Sequence, residues 1–380
     1  MKSLLKMHWG KILTIAVSLS LFSCAGDKKN NSIKKDETGV LGEIPLDEDF
    51  ARLVIVDSLG VTGADGVISF PLDKQTSIFM MGDSFLSPVN EGKRDVDSKM
   101  INNTFIKVDK KAGTHKSYFK GTLDNPESLL VPDHGNPKEY YWPGHAFVHN
   151  GMVHTFMSRF IPVDYGWGFE FSGTDYLRLD KDSFRVISQE DFPYSNGNDV
   201  HYGHSILLEK DYVYLYGSRS VNETTSLHVA RARMDEAANK LVDFEFYTDG
   251  QWTLELEKSS PLEGIEKDVP EQFSVFKYGE KYILVMQERG LIAGNIFSYI
   301  SDSPVGPWSN EQLLFHTKEQ YNSGDQVFTY NAMAHPQYIE NNKLLISYCV
   351  NSFEVPKIHE VDVEYYRPGF FWVPLDKILK

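Results

Sequence analysis

The chain has 380 residues, a formal net charge of -15 and no Lys/Arg cluster in its body, which excludes the electrostatic footprint of a nucleic-acid-binding protein. With 20 Tyr, 24 Phe and 6 Trp and no long heptad runs, it fits an all-β domain of many short strands better than a helical one. The length suffices for one large domain or two ordinary ones with ample core.

Residues 1–23 read as an export signal. Lys2, Lys6 and Lys11 make a basic start, and Ile12 to Phe22 is an apolar stretch too short to span a bilayer. Leu21-Phe22-Ser23-Cys24 then resembles the lipobox of bacterial lipoproteins, in which Cys24 would be lipidated and become the mature N-terminus. Residues 24–49 are polar, with lysine pairs at 28–29 and 34–35, and read as a flexible tether. The globular domain is expected over 50–380. This predicts a membrane partner through the lipid, and a place in the bacterial envelope at the outer membrane or cell surface. The other cysteine, Cys349, lies in the apolar run Leu344 to Val350, so no disulfide framework forms and it reads as a small buried hydrophobe.

Val61 to Leu86 predicts a hairpin: an apolar run from Ala64 to Leu72, a polar break at Asp73-Lys74-Gln75, and a second run from Thr76 to Met81. Asp65 and Asp83 lie equally far on either side of Lys74. Folding about that turn therefore sets them opposite one another, about 4.5–5.5 Å apart at Cβ. Two carboxylates that close repel, and one rises in pKa unless water or a cation screens them. One acid protonated and one ionised is what glycosidases place on either side of a sugar linkage. Asp-Gly at 65–66 and Gly-Asp at 82–83 are equally ordinary strand-end chemistry.

The same outline returns from Trp142 to Phe160, turning at Asn150-Gly151, a strong hairpin dipeptide. It returns again from Tyr202 to Arg219, from Glu271 to Arg289 and from Tyr330 to Asn351. Between copies lie further strand-like runs such as Phe169 to Leu179, Ser226 to Met234 and Ile296 to Ile300. Four strands per unit, repeated radially, predict a five-bladed β-propeller with four-stranded antiparallel blades.

In that arrangement the first strand of each blade begins at one rim of the axis and the second strand ends there. The starts are Asp65, His145, His204, Glu271 and His335; the ends are Asp83, Arg159, Arg219, Gln287 with Glu288, and Asn351. All are expected around one funnel, with Asp65 and Asp83 catalytic and the others touching substrate. Arg159 and Arg219 would lower the pKa of whichever aspartate they meet. The three histidines lack local ligand spacing, so no metal or cofactor is expected beyond an axial structural cation, which stays open. Trp142 and Trp167, in aromatic rim loops, suit sugar rings as well as they suit packing between blades.

Gly-Ala-Asp-Gly and Gly-Asp-Ser-Phe in this opening segment resemble the start of bacterial five-bladed propeller families long classed as domains of unknown function, one of which contains the endo-D-arabinanases. Pro270-Glu271-Gln272-Phe273, Ser303 to Trp308, and Tyr330 to Pro336 with Ser347-Tyr348 and Asn351 are similar in style. The Ser-Pro-x-Gly-Pro-Trp run is also similar to one in arabinan- and xylan-cleaving propellers, where it turns on the outer part of a blade. The resemblance implies that Asp65 and Asp83 match the cleaving aspartates. His145 stands where an acid is usual in the arabinan-cleaving propellers, so no three-carboxylate scheme carries over. The expectation is a monomeric lipoprotein glycoside hydrolase acting on an oligo- or polysaccharide, with retention of configuration. A non-catalytic glycan-binding propeller is the alternative.

Overall fold

The computed structural model describes residues 44–195, 200–290, 294–317 and 326–380. The export signal, Cys24 and the tether up to residue 43 lie outside the described residues. What is described is all-β, and its long strands fall into five antiparallel sheets that follow one another along the chain.

The first sheet holds Ile68–Pro71, Thr76–Met81, Thr104–Asp109 and Thr114–Tyr118; the second holds Tyr140–His149, Met152–Pro162, Phe169–Asp180 and Val186–Asp191. The third runs Val200–Glu209, Tyr212–Val221, Thr224–Asp235, Lys240–Thr248 and Gln251–Thr253. Ser274–Tyr278, Lys281–Gln287, Asn295–Ser301 and Ser309–His316 form the fourth, and Val327–Glu340, Lys343–Ser352 and Gly369–Pro374 the fifth. Four strands per sheet is thus met in three sheets, exceeded in the third and missed in the fifth. At the outer edge of the fifth, Leu46 pairs with Phe371 and Asp47 N–H donates to Phe370 O at 2.7 Å. The start of the described chain supplies contacts that a fourth strand would make, ahead of the boundary expected at 50.

Two of the hairpin turns form where the sequence places Asn and Gly. Asn150 and Gly151 both take positive φ (42° and 75°), as do Asn341 and Asn342 (49° and 59°), matching the twist of the strands they join. The Ser303 to Trp308 run lies between the third and fourth strands of its sheet, with Trp308 buried.

Each first strand packs against the first strand of the next sheet, and the fifth packs against the first. Polar clasps follow the same circuit. His145 Nε2 meets Ser69 O at 3.1 Å, and Ile206 N–H donates to His145 Nδ1 at 2.9 Å. Val275 N–H donates to Ser205 Oγ at 2.8 Å, and Ala334 N–H to Ser274 Oγ at 2.9 Å. His335 Nδ1 meets Ser69 Oγ at 2.6 Å and closes the circuit. Behind the clasps, apolar clusters fill the spaces between consecutive sheets. Phe70 and Met80 meet Val153 and Leu177; Phe156 meets Leu215; Tyr216 meets Leu284; Val285 meets Ile346; Phe79 meets Leu345 and Phe370. Strand alternation explains this: successive side chains point to opposite faces, so every sheet feeds two clusters. Cys349 is buried among the last of them, as a small hydrophobe.

Candidate active site

The opening hairpin keeps one register from end to end. Ile68 pairs with Met80 and Pro71 with Ser77 near the turn, and Gly63 pairs with Phe85 and Ala64 with Ser84 beyond a break. Every pair is centred on Lys74, so Asp65 stands opposite Asp83. Asp65 N–H donates to Asp83 O at 3.2 Å, and Gly82 N–H to Asp65 O at 2.8 Å. The break is made by Gly66 (φ 88°) and Val67 (φ 47°), which let the strand turn just past the aspartate.

Each carboxylate is half-buried and held by groups from other parts of the ring. Oδ2 of Asp65 accepts from the Tyr330 hydroxyl at 2.8 Å and the Tyr366 hydroxyl at 3.3 Å. Oδ1 of Asp83 accepts from Trp142 Nε1–H at 2.8 Å and Asn102 Nδ2–H at 3.0 Å. Burial, then the charge of Asp83, push Asp65 from 3.8 up to about 7 against the opposing pull of its hydrogen bonds. Burial pushes Asp83 up to about 6, restrained by the Trp142 and Asn102 donors. Asn351 donates to the Tyr330 hydroxyl at 3.5 Å and so stands behind Asp65.

The other rim residues divide. His145 spends both nitrogens on the clasps, and His335, fully buried, bonds Ser69 and Ser347 through its two nitrogens. Both tie sheets together, which corrects the expectation that they touch substrate. Arg159 is corrected for a similar reason. Its guanidinium pairs with Asp175 at 3.1 Å and Asp191 at 2.6 Å inside its own sheet, and it meets neither rim aspartate. Gln287 is buried and donates to Thr329 Oγ1 at 2.9 Å. Arg219 stays half-buried without an ion-pair partner among the described residues. Glu271 is exposed on one side and accepts from Ser218 Oγ at 3.2 Å, with His201 and His204 beside it.

Trp142 packs on Phe160, ring centroids 4.5 Å apart, and on Phe169 at 4.7 Å while its N–H holds Asp83. Trp167 is 67% exposed and stacks on Phe353, which follows the second strand of the fifth sheet. Sequence reasoning missed Tyr366, Asn102 and His201. Tyr366 and Asn102 sit on connections outside the repeated outline, and only the fold brings them to the aspartates. His201 was legible as a second histidine three residues before His204.

No curated protein matches this sequence. A solved structure from Bacteroides ovatus described as a "putative hydrolase" aligns with a TM-score of 0.68 at 19% identity, covering 86% of this chain and 89% of that one; it shares the fold. A GH43_1 enzyme from Xanthomonas citri complexed with xylose aligns at a TM-score of 0.48 and 13% identity, over 86% and 92% of the two chains. A GH32 beta-fructofuranosidase from Bombyx mori with sucrose gives 0.48 and 13%, over 86% and 64%. Residues 47–374 match one family model, and the chain belongs to that family, described as Domain of unknown function (DUF5005).

Proposed function

We propose that the five sheets are the blades of a five-bladed β-propeller, and that the protein is a glycoside hydrolase using Asp65 and Asp83. The observation that carries the reading is the pair itself: two opposed, half-buried carboxylates with raised pKa, each fixed by donors from another part of the ring. Their environments support a division of roles. Asp65 is the general acid. With Oδ2 accepting two hydroxyl bonds, its proton resides on Oδ1, from which it passes to the leaving glycosidic oxygen. Asp83 is the ionised partner, since two N–H donors stabilise its charge at Oδ1. Oδ2 has no protein donor among the described residues and is the atom that attacks.

Directly opposed residues on antiparallel strands sit close, nearer the about 5–5.5 Å of retaining enzymes than the about 6.5–9.5 Å of inverting ones. Asp83 then acts as nucleophile: its Oδ2 bonds the anomeric carbon as the glycosidic C–O bond breaks, and water later releases the sugar. Trp142, Trp167 and Arg219 suit a glycan with apolar ring faces and hydroxyl edges. An arabinan-like polysaccharide is the proposed substrate. We place the domain as a lipoprotein at the bacterial surface, anchored through Cys24 with residues 24–49 as a tether. The Bacteroides ovatus structure, described as a "putative hydrolase", is in keeping with this reading.

The test is a product assay of the purified protein against arabinans and other plant, bacterial and host glycans, with the released anomer followed by NMR. Asp83→Asn should abolish turnover and keep glycan binding. Binding without turnover in the unaltered protein would leave a glycan-binding propeller instead, and initial inversion would remove the nucleophile role.

A further inference from the structure

Away from the aspartate pair, His201, His204 and Glu271 gather between the third and fourth sheets. His201 and His204 are three apart on one strand, and in a regular strand they would face opposite sides. The register slips between Tyr202 and Ser205, and Gly203 takes φ 97° with its Cα against Phe156, where a Cβ would come within 2.6 Å. This bulge turns both imidazoles to one side. Gly217 allows it from the neighbouring strand, where a Cβ would fall 2.4 Å from His201 O.

Both imidazoles converge on a single oxygen. Glu271 Oε2 lies 3.4 Å from His201 Nδ1 and 3.9 Å from His204 Nε2, and the three ligand atoms lie within 4.8 Å of one another. Charge-assisted hydrogen bonds run shorter, at about 2.7–2.9 Å. Ligands on one tetrahedral zinc, each about 2.0–2.1 Å from the ion, stand roughly 3.3 Å apart. His204 adds an independent sign. It is only 8% exposed, and neither ring nitrogen has a hydrogen-bond partner among the described residues. Buried imidazoles left so are rare in native interiors.

We propose that His201, His204 and Glu271 bind one divalent transition-metal ion, zinc foremost. Two imidazoles with one carboxylate suit zinc, whereas calcium and magnesium call for all-oxygen sets. The ion staples the third sheet to the fourth. Because Glu271 and His201 reach solvent, its fourth position is open to water or to a ligand hydroxyl. The site shares a wall with the aspartate pair: the His201 ring stacks on Phe171 at 4.0 Å, Phe171 meets Phe160, and Phe160 meets Trp142.

The experiment strips the purified full-length protein with a chelator and titrates it with zinc alone against a chromophoric competitor. Thermal melting is followed in parallel. Glu271→Gln and His201→Asn alter solvent-reaching groups and should fold; His204→Ala tests the buried ligand. Expected is zinc uptake at micromolar free metal that weakens about 100-fold or more in each variant, since losing even an outer-shell partner costs about 10–100-fold. Zinc should raise the melting temperature of the unaltered protein alone. Uptake unchanged in Glu271→Gln and His201→Asn, or none at micromolar zinc in the unaltered protein, overturns the proposal.

Discussion

A methyl group placed on Gly82 would fall 2.4 Å from Oδ1 of Asp65. The two residues are also bonded through the backbone, Gly82 N–H to Asp65 O at 2.8 Å. Glycine at 82 is therefore explained by the neighbouring carboxylate and not by its own φ, which is not positive.

The first prediction follows. Gly82→Ala should displace the Asp65 carboxylate while the hairpin register persists. A misplacement near 1 Å costs about 100-fold in turnover, and crowding of this kind costs about 1–3 kcal/mol of stability. Kinetics beside thermal melting check both; an active Gly82→Ala would remove Asp65 from the chemistry.

A bell-shaped pH dependence of kcat/KM is expected, with its acid limb near the Asp83 value of about 6 and its alkaline limb near the Asp65 value of about 7. The hydrogen bond from Tyr330 lowers the Asp65 value, so Tyr330→Phe should move the alkaline limb upward. Trp142→Phe removes a donor to Asp83 and should raise the acid limb. A net hydrogen bond of about 0.5–1.5 kcal/mol corresponds to shifts of about half to one pH unit. If both substitutions moved the same limb, the assignment of acid and base would be reversed or shared.

The register of the opening hairpin was legible because it depends on local things: a polar turn at Asp73 to Gln75 and apolar runs of matched length. The five hairpin outlines were legible for the same reason. What each rim residue touches was not. His145 and His335 read as ligand-facing because the outline sets them at strand starts, yet they lie inside Tyr140–His149 and Val327–Glu340, where first strands pack on one another and Ser and backbone groups need partners. Arg159 reads as a rim cation, but its partners Asp175 and Asp191 come from the third and fourth strands of its own sheet, at positions with no outline in common. Tyr366 reaches Asp65 from 301 residues away, a relationship no local spacing carries.

Position therefore separates structural from ligand-facing residues, and stability measurements should follow it. His335→Ala opens a cavity beside Ser69, which keeps its bond from Gln337 Nε2 at 2.7 Å, and leaves the Ser347 hydroxyl without its imidazole partner, an orphaned buried group that costs about 1–3 kcal/mol. Denaturant unfolding should show that loss. Trp167→Ala removes an exposed ring that stacks on Phe353 and should leave stability within about 0.5 kcal/mol. Its effect should fall on glycan affinity, as a rise in KM of about 3–10-fold, the worth of one aromatic contact. A Trp167→Ala protein with unchanged KM would return that ring to packing.

The aspartate pair also makes stability depend on pH, and the sign is opposite to that of a salt-bridged carboxylate. Asp65 has a folded pKa of about 7 against an ordinary value of 3.8. Between those values the folded chain holds a proton that the unfolded chain has released, so unfolding becomes more favourable as pH rises. Below 3.8 both states are protonated and the pair costs nothing; through about 7 the folded protein loses its proton, and the full cost of two opposed, half-buried charges is reached. Asp65→Asn keeps the shape and removes the charge. Its melting temperature, measured against that of the unaltered protein from about pH 4 to pH 8, should draw ahead as pH rises and level off above about 7. Parallel curves would mean that Asp65 is solvated and ionised in the folded protein, and its role as the protonated acid of the pair would go with them.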